Sequence, residues 1–272
     1  MILRILVIGL ALIGVQSRGA TVTGEVVDAD SGTILPARIY IKSQDGKWFF
    51  PKTTAGEGSA FELRRQAGVN SKSVEMHTTL SAHPFTVDLP GGRYTLWAEH
   101  GKEFLPAEEV IMVGESALSV KLKLKRWINM AERGWFSGDT HSHRPLTEMT
   151  NVMLAEDVNV GFPMTQWVTV DNTSPLKSNK VPAPVPPGEV LKIDPTHLIY
   201  PLNTEYEIFT TAGKSHTLGA ILILGHKTPF DEGVPPVASV VAKARREGAL
   251  LDLEKHSWPW SIAMAPVMKV DL

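Results

Sequence analysis

The residues best suited to chemistry lie in Gly134-Trp135-Phe136-Ser137-Gly138-Asp139-Thr140-His141-Ser142-His143. On an extended strand, positions i and i+2 point to the same face, so His141 and His143 present both imidazoles to one ion. The chain contains no cysteine, which excludes thiolate sites and leaves His, Asp and Glu to hold any transition metal. Nitrogen and oxygen donors suit zinc, manganese or iron. Two further groups of donors stand beside apolar runs. One is Glu205-Tyr206-Glu207-Ile208 with Lys214-Ser215-His216, and the other is His256, just after the run that ends at Leu253. Imidazoles and carboxylates meeting from separate strand ends make an open metal site, where the ion lowers the pKa of a bound water toward neutrality.

The elements that must position these residues divide the chain in two. From 21 to 124 the signals are those of strands. Val22-Thr23-Gly24-Glu25-Val26-Val27-Asp28 and Ala37-Arg38-Ile39-Tyr40-Ile41 alternate, and Asp30-Ser31-Gly32, Asp45-Gly46 and Pro90-Gly91-Gly92 supply turns. Short strands with punctual turns predict an all-β sandwich. Residues 54–83 are polar and irregular and read as an insertion or long loop, with His77, His83 and His100 exposed or capping. After a charged connector the pattern turns to β and α, with a helix over 149–157 and a strand over 158–170. A proline-rich loop covers 175–195, and His197 and His226 read as loop residues. A buried strand follows over 217–224, then a helix over 236–247 and a strand over 249–253. Strand, helix, strand with a short link predicts a parallel α/β sheet or barrel over 134–272.

Composition narrows the function classes. A net charge of −2 leaves no basic footprint for nucleic acid. Met1-Ile2-Leu3-Arg4, the apolar run 5–15 and the small residues Ser17-Arg18-Gly19-Ala20 form a signal-peptide pattern over 1–20. That run is too short to span a bilayer comfortably. The expectation is export to the periplasm or the cell exterior after cleavage, with no stable membrane span.

Two resemblances follow from these motifs. Gly24-Glu25-Val26-Val27-Asp28, Pro36-Ala37-Arg38-Ile39-Tyr40 and Leu89-Pro90-Gly91-Gly92-Arg93-Tyr94 resemble the carboxypeptidase-regulatory, transthyretin-like sandwich. Gly138-Asp139-Thr140-His141-Ser142-His143 resembles the first motif of the PHP (polymerase and histidinol phosphatase) superfamily, in particular its exported CehA/McbA-type metallohydrolases. The resemblance implies a multi-domain chain, a sandwich over 21–124 followed by a distorted β/α barrel over 134–272. It implies one to three divalent ions held by His141, His143, Glu207, His216 and His256, with Asp139 orienting an imidazole. Glu205 competes with Glu207 because both lie on one strand face. Thr165-Gln166-Trp167 stands where the family has Thr-Asp-His, and Asp157 and Asp171 are the nearest substitutes. The family's barrel runs on past the point where Lys269-Val270-Asp271-Leu272 ends, so the barrel is read as incomplete at its C-terminus.

The expected function is hydrolysis of a small phosphoester, carbamate or ester substrate by a metal-activated water. The rival is a non-catalytic binding or surface-attachment protein with a vestigial metal site.

Overall fold

The computed structural model describes residues 18–66, 74–177, 184–253 and 259–272. Residues 1–17 of the expected leader, and His256, lie outside them. The first part contributes β1 (Ala20–Asp28), β2 (Ala37–Ser43), β3 (Trp48–Phe49), β4 (Lys52–Thr53), β5 (Ala60–Gln66), β6 (Val74–Leu80), β7 (Phe85–Leu89), β8 (Gly92–Glu99), β9 (Phe104–Leu105), β10 (Ala107–Val113) and β11 (Leu118–Arg126). They form two sheets, ordered β4-β7-β1-β11-β9 and β10-β8-β2-β6-β5, with β3 on the flank of β2. Alternation explains the packing. Val22 and Val26 of β1 and Leu122 and Leu124 of β11 point inward, against Ile39 and Ile41 of β2 and Leu96 of β8, in one shared core.

Gly24 shows how closely that core is filled. A Cβ there would stand 2.4 Å from Phe85 Cζ and 2.6 Å from Val120 Cγ2. Gly24→Val is expected to cost about 1–3 kcal/mol by overpacking, read as a lower urea midpoint at unchanged slope.

Residues 54–83 are not a loop in the described parts. β5 and β6 pair antiparallel, from Ala60 opposite Leu80 to Gln66 opposite Val74. Polar residues of β6 are compatible with a buried strand because a helix covers it. Asn151 of α1 (Leu146–Glu156) donates to Thr79 O at 3.0 Å. His77 and His100 are correspondingly buried, 2% and 5% exposed, and not on the surface. His77 lies 5.1 Å from the Tyr40 ring and His100 4.6 Å from Phe104. Ion pairs join the same seam: Arg38 Nε with Glu156 at 2.9 Å, and Arg126 with Asp157 at 3.3 Å.

The second part contributes β12 (Gly138–Ser142), β13 (Val160–Pro163), β14 (Gln166–Val170), β15 (Leu191–Lys192), β16 (Leu198–Ile199), β17 (Thr204–Thr211), β18 (Lys214–Leu224), β19 (Leu250–Asp252), and the helices α2 (Ala238–Glu247) and α3 (Pro259–Met268). Two open four-stranded sheets result, β12-β13-β16-β15 and β14-β17-β18-β19. The expected α/β barrel is therefore corrected: strand outweighs helix among the described residues, and neither sheet closes on itself. The cause is local. Ala212 and Gly213 both have positive φ, 50° and 74°, and Thr211 pairs with Lys214 across them. Two such residues make a tight hairpin, so β18 runs back along β17. β19 then pairs antiparallel to β18, where a β–α–β crossover would have made the pair parallel. The single strand expected over 158–170 is also divided. β13 joins one sheet and β14 the other. No described helix is long and apolar enough to cross a membrane.

Candidate metal centre

The break between β13 and β14 sets two sheets side by side, and the site lies between them. From the first sheet, β12 brings His141, and His143 follows directly after its last residue, Ser142. From the second, β17 brings Glu205, which is fully buried. His141 Nε2 lies 3.1 Å from His143 Nε2 and 3.2 Å from Glu205 Oε2, and His143 Nε2 lies 3.0 Å from the same oxygen. Among the described residues, these three form a group able to hold a metal ion. Donors bound tetrahedrally at about 2.05 Å from one ion stand about 3.3 Å apart, close to the three separations observed. The set of two imidazoles and one carboxylate matches zinc and also suits manganese or iron. The site opens on the His143 side, whose side chain is 41% exposed against 14% for His141 and 0% for Glu205.

Neighbouring groups hold the ligands in place. Asp139 Oδ1 accepts the main-chain N–H of His141 at 3.0 Å, so it acts on the ligand strand through the backbone. The Trp167 ring stands 4.5 Å from the His143 ring, and its indole N–H donates to Glu207 Oε2 at 3.1 Å. Trp167 is the register neighbour of Glu205 across the parallel β14–β17 pair. Behind them, Thr204 Oγ1 lies 2.9 Å from both Gln166 Oε1 and His226 Nε2.

Of the residues expected as ligands, His141 and His143 come together, joined by Glu205. Glu207 sits two residues further along β17 with its Oε2 on Trp167. His216 lies on β18 six residues before Leu222, the partner of Glu205, which is about 20 Å along a strand. His256 falls outside the described residues. Asp157 pairs with Arg126, and Asp171 Oδ1 takes the N–H of Ala212. His197 and His226 lie in loops, as expected, and both are buried there. The Asp157 carboxylate raises the His197 imidazole above its ordinary range, with Asp194 adding to the effect. Burial pushes His226 down to about 4.

No protein-family model matches the chain, and no curated protein matches it. Solved structures show partial likeness. A shaft pilin, SpaA from Lactobacillus rhamnosus GG, is 16% identical over 42% of this chain and 50% of the pilin, with a TM-score of 0.28. The Bacillus anthracis TIE protein is 15% identical over 48% of this chain and 20% of its own, with a TM-score of 0.26. This chain thus spans half of that pilin and a fifth of that TIE protein. Likeness at this level carries no argument about architecture or activity.

The expected membership of the PHP superfamily and the hydrolase reading are corrected. Both rested on a β/α barrel gathering five ligands. The described residues form open sheets that gather three, one of them a different glutamate.

Proposed function

We propose that this chain is a non-catalytic binding or surface-attachment protein whose second part holds one divalent transition-metal ion at His141, His143 and Glu205. The convergence of three donor atoms from two sheets on one point carries the reading. An ion there neutralises the buried Glu205 carboxylate and ties β12 to β17, so binding energy becomes folding energy. Its open side faces solvent beside His143. The signal-peptide pattern over 1–20 supports export, and with it a site that works outside the cytoplasm.

The test is metal content per chain on the purified, signal-free protein, with His141→Ala beside it and phosphoester and carboxyl-ester reporters in the assay. The expected result is about one ion per wild-type chain, its loss in the variant, and no turnover. Turnover that disappears with His141→Ala would overturn the non-catalytic reading, and wild type without metal would overturn the site.

A further inference from the structure

The metal reading leaves open what fixes His143, the most exposed of the three ligands. We infer that Trp167 is the positioning residue for His143, held in place by Glu207; this rests on the metal site proposed above. Three observations converge on it. The Trp167 ring lies 4.5 Å from the His143 ring, with 52° between their planes, so it limits imidazole rotation on that side. Its indole N–H donates to Glu207 Oε2 at 3.1 Å, and that carboxylate is 6% exposed. A buried carboxylate gives a strong, directional acceptor, so Trp167 is clamped at its polar end and packed at its apolar face. Trp167 also sits opposite Glu205 in the β14–β17 register, so the strand position beside one ligand carries the ring that packs on another. The same hydrogen bond commits Glu207 Oε2 to Trp167, which explains why two glutamates on one strand face take different tasks.

Partners that orient a ligand typically contribute 10–100-fold to metal affinity. The experiment titrates cobalt(II) into wild type, Trp167→Phe, Glu207→Met and Glu207→Gln, recording affinity and the visible absorption of the bound ion. Trp167→Phe keeps a ring but loses the N–H, and Glu207→Met loses the acceptor. Both are expected to bind about 10-fold more weakly, with a shifted cobalt spectrum. Glu207→Gln keeps an acceptor oxygen and is expected to stay near the wild-type affinity and spectrum. Should Trp167→Phe fail to fold, the Glu207 pair alone carries the comparison. Bound cobalt with unchanged affinity and spectrum in Trp167→Phe, or in Glu207→Met, overturns this inference and leaves the metal site standing. Wild type that binds no cobalt overturns the metal site and this inference with it.

Discussion

Glu205→Gln is expected to weaken zinc binding by at least about 100-fold and to erase the stabilisation that zinc gives the wild-type protein. The carboxylate is fully buried, and one of its oxygens faces both imidazole nitrogens at 3.0 and 3.2 Å. Glutamine has nearly the same shape but no charge, so it removes the anion that balances the cation while leaving the packing in place. At zinc 100-fold above the wild-type Kd, stabilisation is about 2.7 kcal/mol. In the variant, at the same zinc concentration, it should fall to about 0.4 kcal/mol or less. Thermal unfolding with and without zinc reads the difference. An equal zinc-induced shift in Glu205→Gln would mean that the ion binds elsewhere.

The second large effect is acid destabilisation from buried neutral histidines. Burial pushes His226 down to about 4, and His77 also to about 4, with the Arg38 and Arg144 charges adding to the effect at His77. In the unfolded chain both return to about 6.5. Above that pH neither state is protonated and stability is whole. As pH falls below it, the unfolded chain takes up protons that the fold refuses, so stability declines until about pH 4. A difference of about 2.5 pKa units is about 3 kcal/mol for each group as an upper figure. His197 works in the opposite sense. Its raised value adds stability below pH 6.5 that is lost as pH rises, so single variants isolate each contribution better than wild type alone. Urea unfolding with chelator at pH 7, 6 and 5 should show a clearly shallower pH slope in His226→Gln than in wild type. Parallel slopes would show that His226 is not held neutral.

The physical reasons for what was and was not readable are local. Alternation over 22–28 and 37–41 marks strands because one face is core and the other water, and the structure buries Val22, Val26, Ile39 and Ile41 accordingly. β6 defeats that rule because its other face is covered by α1, so His77, Thr78 and Thr79 are buried despite being polar. The His141/His143 spacing was readable because extended backbone puts i and i+2 on one face, and His143 directly follows β12. The same period could not choose between Glu205 and Glu207, which also share a face. That choice is made by β14, a strand distant in sequence, whose Trp167 occupies Glu207. The hairpin that reverses β18 did have a signal, Ala212-Gly213 between two strand-forming segments. Lys214-Ser215-His216, which follows it directly, begins the returning strand β18, and its antiparallel course along β17 leaves the sheet open.

The most direct test of the central claim is the zinc K-edge X-ray absorption spectrum of the protein loaded with one equivalent of zinc and dialysed. The account predicts retained zinc with a nitrogen and oxygen shell at about 2.0–2.1 Å and outer scattering from two imidazoles, reduced to one in His143→Ala. A spectrum without imidazole scattering, or zinc lost on dialysis, would contradict it.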